Sequence, residues 1–519
     1  MKELVFHRMF FPAVERFSSK VGFHDGVYHA TFETHADRVL RLHDAMRREL
    51  GLEPDDRFGI MACNGHEFLE LYHAGFLGAG IANPLNLRLA GKELQFILAD
   101  SGTEVVFVDA VFADHFARNI AEVRADLPLR HVVLIGDGEG PCDFRYEDLI
   151  KNGTPTTPRE PEEDDTAMVM YTGGTTGLPK GAVLEQRAEI LNLYHIGLAV
   201  GFREDRVYLH QTPMFHAASM GGALGIPTTG GVSTFVPLFE PGAVLSTIEE
   251  FGVDWTVMVP TMIAMTLDDP SFDSKRMASM CDLVYGASPM PAALLDRLKK
   301  ALPDVNLWQG YGMTECSSVL TILSAADHAK GGDILRSAGR PVVGVELTIQ
   351  DEHRALLARG KEGEVCAKGG NFLREYWHRP EQTEHVMRGG WYHTGDVGHI
   401  DADGYVHLVD RLNDMIVSGG ENVYSIEVEN AISTHPAVAQ VAVIGIPHPV
   451  WGEQVHAIVV LRPGSTATDR DIKDHAKKTI AAYKVPKTID FRTEPLPMSG
   501  ALKPLKRELR APYWDTREE

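Results

Sequence analysis

The segment Tyr171–Gly181, YTGGTTGLPKG, gathers glycines, hydroxyls and one lysine directly after the apolar run Ala167–Tyr171. Backbone N–H and Thr O–H groups in such a loop can wrap phosphate oxygens while Lys180 supplies charge; by composition alone the alternative is a Gly/Thr surface turn. It is not a Walker A loop, because Lys180 follows Pro179 and precedes Gly181 rather than Ser or Thr. In Gly310–Glu315, GYGMTE, Gly310 and Gly312 permit close backbone approach and Tyr311 offers a ring to a base. Thr314 and Glu315 offer oxygens to a hard cation such as Mg²⁺. Tyr392–Asp396, YHTGD, ends in a carboxylate suited to a ribose diol, and the pair Asp410–Arg411 and the glycine-rich Ser418–Glu421 follow it. Ser499–Arg510, SGALKPLKRELR, sets Lys503 in a small-residue turn before a basic helix. Taken singly, these later segments also read as solvated turns or a surface helix start.

Elements of two periods position these segments. Short β-rich runs (Arg57–Ala62, Glu104–Val108, His131–Ile135) alternate with amphipathic helical stretches (Thr34–Leu50, Gly91–Leu98), which predicts an α/β fold with largely parallel sheets. The Pro-rich, acidic Gly153–Asp165 reads as a surface connector inside one domain. A boundary falls near Asp410–Asp414, after the hairpin-like Asp401–Gly404, dividing the chain into 1–412 and 413–519. The second part predicts a small α+β unit, with a helix around Ile426–Ser433, strands at Val438–Ile444 and Val455–Leu461, and a charged helix over Asp469–Tyr483.

The 519 residues carry 50 Lys and Arg against 72 Asp and Glu, and this net charge of −22 argues against nucleic acid as a partner. An anionic substrate must therefore meet a local, dedicated site. The five cysteines (Cys63, Cys142, Cys281, Cys316, Cys366) show no C-x-x-C spacing, which disfavours a zinc site or disulfide framework and fits a reducing cytoplasm. His7 and Arg8 interrupt the N-terminal apolar residues, against a secretory signal. The uncharged Ser219–Phe239 is laced with Gly, Pro and Thr and reads as buried strands and loops, so no integral membrane association is expected.

In their order along the chain, these motifs resemble the adenylate-forming superfamily of acyl-CoA synthetases, amino-acid adenylation domains and beetle luciferases, over residues 20 to 514. The resemblance implies stacked, mostly parallel sheets in a large N-terminal α/β domain joined by a hinge at Asn413 to a small α+β domain. It implies that Thr172, Gly173, Gly174, Thr175, Thr176, Gly177 and Lys180 hold the β- and γ-phosphates. Gly286, Ala287, Gly310, Tyr311, Gly312 and Met313 would take adenine and α-phosphate, Asp396 and Arg411 the ribose, and Glu315 the magnesium. Thr314, Glu315, His216 and Lys503 would be the catalytic groups, with Lys503 serving adenylate formation. Pro213–His216 would border the acyl pocket and pantetheine tunnel, and Ser418, Gly419, Gly420 and Glu421 would reach that tunnel.

The implied activity is ATP-dependent ligation of a carboxylic acid to CoA through an acyl adenylate, with ATP, Mg²⁺ and coenzyme A taking part. An amide synthetase or carrier-protein loader is the alternative, and a homodimer is common in the family. The expected pocket wall is His216, Met220, Thr261, Tyr285, Gly286, Gly312 and Ser317, suited to medium acyl, aryl or small thioether acids. Three positions depart from the pattern: Asn413 at a hinge usually Asp or Lys, Leu502 where Gly usually precedes the lysine, and Gln186 in place of a common His. Leu502 makes Lys506 the second candidate for the lysine's role.

Overall fold

The computed structural model describes residues 3–26, 28–89, 91–172, 179–411, 414–418, 421–499 and 504–514, without the side chains of Glu421 and Asn422. Gly173, Gly174, Thr175, Thr176, Gly177, Asn413, Gly419, Gly420, Leu502 and Lys503 lie outside the described residues.

Two large, mostly parallel sheets build the N-terminal part, as the alternating pattern predicts. One has nine strands, six of them mutually parallel: Val21–Asp25, Val232–Phe235, Val207–His210, Trp255–Met258, Asp282–Gly286 and Asn306–Tyr311. The other has eight; the parallel set of Thr166–Thr172, Ile81–Pro84, Arg57–Met61, Thr103–Asp109, His131–Ile135 and Phe144–Arg145 is edged by antiparallel Lys180–Glu185 and Glu375–Tyr376. Parallel strands are buried on both faces, so they read as apolar runs such as Val105–Val108, all fully buried. The largest apolar cluster joins both sheets, from Phe6 and Phe58 to Met220, Val319 and Tyr392. A second, with Leu283, Tyr285 and Leu307, packs the outer face of the nine-stranded sheet under the helices Pro241–Phe251, Pro260–Asp268 and Ala292–Ala301.

The Ser219–Phe239 stretch resolves into the turns Gly221–Gly225 and Ile226–Thr228 and the strand Val232–Phe235. Among the described residues no helix is long and apolar enough to cross a membrane.

A four-stranded antiparallel sheet, Glu346–Gln350, Gly363–Lys368, Tyr392–Ile400 and Val406–Arg411, leads to the C-terminal unit. Beyond residue 414 a five-stranded sheet carries the long hairpin Val438–His448 and Gly452–Leu461. Side chains alternate along its first strand: Val441 and Val443 face one cluster with Val428 and Ile432, whereas Ala442 and Ile444 face another with Leu509. Both clusters draw only on residues from 416 onward. The charged helix ends at Ala476, short of the Tyr483 predicted, because the apolar spacing Ile472, Ala476, Ile480 runs on past the helix end.

Candidate active site

The strands flanking the glycine/threonine loop pair antiparallel, with Thr172 opposite Lys180. A strand, Lys180–Glu185, therefore stands where a P-loop would have its helix. Lys180 opens the second strand with its Nζ 5.4 Å from the centroid of the Tyr376 ring. The Tyr376 hydroxyl donates to Glu315 Oε1 at 2.7 Å, and the Glu315 carbonyl accepts from Leu373 N at 2.8 Å. Burial and the Glu315 carboxylate raise the Tyr376 phenol far above its usual range, which keeps it a donor. Lys180, Tyr376 and Glu315 thus form one continuous line. Tyr376 escaped the sequence reading because its strand, Glu375–Tyr376, is only two residues long and carries no glycine.

Asp396 and Arg411 stand opposite each other on the Tyr392–Ile400/Val406–Arg411 hairpin. Asp396 is buried, and its Oδ2 accepts the Tyr311 hydroxyl at 2.6 Å while its Oδ1 meets Arg411 Nε at 3.2 Å. The carboxylate holds Arg411 charged; burial and the same carboxylate push the Tyr311 phenol well up. Behind this turn Glu364 accepts from Gly395 N at 3.2 Å and pairs with His393 Nδ1 at 2.7 Å and Arg388 at 3.1 Å. These contacts tie down the backbone that carries Asp396.

Between these two ends, backbone approaches backbone. Gly286 lies opposite Gly310, and a Cβ at Gly286 would run into the Gly310 carbonyl oxygen. A Cβ at Gly312 would meet the Ser318 carbonyl. Ala287, Ser317 and Ser318 take positive φ of 64°, 58° and 130°, backbone strain of the kind that gathers at functional sites. Met313 and Thr314 lead into the short 3₁₀ turn Thr314–Cys316.

The Pro213–His216 segment hangs from two side chains that sequence reasoning missed. Asn64 Oδ1 accepts from Met214 N at 2.8 Å, and the Tyr72 hydroxyl donates to Met214 O at 2.6 Å. His216 Nδ1 accepts from Ala218 N at 3.2 Å, so the proton of the neutral ring sits on Nε2. Met220 is buried in the inter-sheet cluster, Thr261 is half-buried near the start of the Pro260–Asp268 helix, and Ser317 is fully buried.

One expected pocket-wall residue needs correction. Tyr285 shares the outer face of its strand with Leu283, because strand side chains alternate, and its hydroxyl engages His328 Nε2 at 2.8 Å. It fills the helical layer rather than the space beside Met220. Gly286, like Gly312, lies against backbone with no room for a side chain and could border a ligand only by its main chain. Lys506 is likewise committed: its Nζ pairs with Glu429 at 2.7 Å and donates to Ser425 Oγ at 2.7 Å. It belongs to the core of the C-terminal unit and cannot stand in for Lys503. Ser418 pairs with Glu421 across a short antiparallel turn, and Ser499 O accepts from Arg88 Nη1 at 3.4 Å, joining the C-terminal unit to the large domain.

Comparisons with known proteins show the family. The family model for the AMP-binding enzyme matches residues 10–377, and that for the AMP-binding enzyme C-terminal domain matches 427–503. A feruloyl-CoA synthase of Amycolatopsis sp is 37% identical over 484 residues, 92% of this chain and 93% of the relative. A fatty acid–[acyl-carrier-protein] ligase, ScoC of Streptomyces coeruleorubidus, is 32% identical over 89% of this chain and 88% of its own. The crystal structure of the anthranilate CoA ligase AuaEII with anthranoyl-AMP superposes with a TM-score of 0.90 at 27% identity, covering 99% of this chain and 98% of that one. The chain belongs to the AMP-binding enzymes of the adenylate-forming superfamily. Within it the likeness runs to AMP-forming acid–thiol ligases, and it is an adenylating CoA ligase of that kind.

Proposed function

We propose that the protein is an ATP-dependent acyl-CoA synthetase for a medium-chain, aryl or similarly small carboxylic acid. A carboxylate is anionic and lacks a leaving group, so it resists thiol attack. One of its oxygens attacks the α-phosphorus of ATP and pyrophosphate leaves. The CoA thiolate then attacks the acyl carbon of this mixed anhydride and AMP leaves. Thr172, Lys180 and the loop between them hold pyrophosphate, and Asp396 and Arg411 hold the ribose. Thr314 and Lys503 offset the charge that develops at the α-phosphate. A magnesium ion fits the donors present, since the second Glu315 oxygen lies outside the Tyr376 bond and Thr314 adds a hydroxyl, both hard ligands. When bound it would neutralise phosphate charge. His216, Met220, Thr261, Gly312 and Ser317 border the acid, Ser418–Glu421 admits pantetheine, and residue 413 is the hinge between 1–412 and 413–519.

The observation that carries this reading is the line from Lys180 through Tyr376 to Glu315, which brings the phosphate-holding and metal-holding groups together. It is tested by supplying ATP, Mg²⁺ and a pooled set of acids with CoA, an amine or a carrier protein as acceptor, and identifying products by mass spectrometry. An acyl-CoA thioester with equal AMP and pyrophosphate is expected. AMP release without a CoA thioester overturns the reading, as does product formed only on the amine or carrier protein.

A further inference from the structure

Glu189 lies on the Gln186–Ala199 helix, fully buried, and no hydrogen bond of good geometry reaches either carboxylate oxygen, Ser317 being the one polar group close enough to act on it. Asn192, three residues on and therefore on a neighbouring face of the same helix, uses its Oδ1 to accept from Val319 N at 3.3 Å and leaves Nδ2 unpartnered. Across from them the Cys316–Val319 turn presents Ser317, fully buried in a left-handed conformation with its Oγ also unpartnered. Ser317 is the polar neighbour that acts on the Glu189 carboxyl, and Tyr72, which holds Met214, feels the Glu189 charge. The group therefore sits between the two segments that border the acid, Pro213–Met220 and Gly312–Ser317.

Buried polar groups are nearly always paired, and an unpaired one costs stability. Several gathered at one place, on two elements flanking a substrate site, leave hydrogen-bonding capacity for a partner from outside the chain. We infer that Glu189, Asn192 and Ser317 form a polar end to the acyl pocket that recognises a hydroxyl group carried by the acid substrate at the end remote from its carboxylate; this rests on the acyl-CoA synthetase reading. Burial pushes the Glu189 carboxyl up to about 8, so at neutral pH it is protonated and offers both an O–H donor and a carbonyl acceptor. Asn192 adds N–H donors and Ser317 a hydroxyl. A substrate hydroxyl, donor and acceptor at once, matches this set. A second carboxylate would enter a site with no cation among its three polar groups, and an ammonium would face unpartnered donors.

The test compares acids that differ only in the remote group: para-hydroxycinnamic against cinnamic acid, and ω-hydroxyoctanoic against octanoic and ω-aminooctanoic acids. Each is assayed for CoA thioester with wild type, Glu189→Leu and Glu189→Gln. In at least one series the wild-type kcat/KM should favour the hydroxylated acid by at least about 100-fold, because a site built for a hydroxyl strands its own groups when the hydroxyl is missing. Glu189→Leu should bring the ratio to within about threefold of unity with the KM for ATP unchanged, and Glu189→Gln, which keeps a donor and an acceptor, should retain most of it. Thioester formation without hydroxyl preference in wild type overturns this inference and leaves the synthetase reading intact. So does a preference that survives Glu189→Leu, or one for the amine. No CoA thioester from any acid overturns the synthetase reading and this inference with it.

Discussion

Glu70 and Glu189 are both fully buried within helices of the large domain, yet their surroundings are opposite. Glu70 accepts from Arg38 Nε at 2.7 Å and Nη2 at 3.2 Å, and from the Tyr146 hydroxyl at 2.7 Å. Arg38 in turn reaches Glu147 at 2.7 Å, so the packing of the helices Phe32–Arg48, His66–Ala74 and Tyr146–Asn152 is stitched by one satisfied charge network. Glu189 has no such company. The first carboxylate is part of what holds the fold together. The second is carried against the interest of stability, and a protein keeps such a group for what it binds.

Removing the satisfied carboxylate should hurt most. Glu70→Leu strands Arg38 and the Tyr146 hydroxyl and should cost about 3–5 kcal/mol, read as an earlier unfolding transition in urea. A loss under about 1 kcal/mol would mean the network is ornamental and the contrast empty.

Glu189→Leu should act in the other direction, stabilising by about 1–3 kcal/mol at pH 4.5 and by more at neutral pH, since it removes an unpaired buried group without opening a cavity. The effect should depend on pH. Folded Glu189 keeps its proton up to about 8, whereas the unfolded chain releases it near the ordinary 4.5. The stability tied to that proton is complete below 4.5 and drains away as pH rises towards 8, at about 1.4 kcal/mol per pH unit. The gap between variant and wild type should therefore widen from pH 5 to pH 8 and level off above. A gap independent of pH would show that Glu189 is not protonated in the folded protein.

The smallest effects sharpen the contrast. Tyr146→Phe deletes one bond to a buried charge and should cost about 1.5–3 kcal/mol, while Ser317→Ala deletes a hydroxyl with no hydrogen bond of good geometry and should stay within about 0.5 kcal/mol of wild type. Equal costs for the two would blur the distinction between a structural and a ligand-directed polar group.

The groups that the structure gathers at the candidate nucleotide end, Lys180 and Glu315 about Tyr376 and Asp396 beside Arg411, could be singled out in the sequence because their chemistry resides in residue type. Glycines and threonines before Lys180, Asp396 two residues after a threonine, and Glu315 closing GYGMTE announce themselves by order and spacing. The alternation of apolar strands and helices likewise forecast largely parallel sheets. The acid end was legible only in part. Tyr285 and Gly286 adjoin on one strand, and nothing local reveals which pleat faces the pocket. Asn64 and Tyr72 act from more than 140 positions away in the chain, holding Met214 by contacts that only the assembled sheets create. Glu189 is one acidic residue among many in the sequence, and only the fold reveals that it sits on a helix face that is dry.

The close approaches at Gly286 and Gly312 carry a consequence for how such a site can change over generations. Where any side chain would strike a neighbouring backbone, almost every mutation is lost before it can be tried for a new substrate, so that part of the site is closed to exploration. The Gln186–Ala199 helix imposes no such bar at positions 189 and 192, which present side chains rather than backbone to their surroundings. A randomised library at those two positions should yield folded variants with redistributed acid preferences, whereas one at 286 and 312 should return little besides the starting glycines.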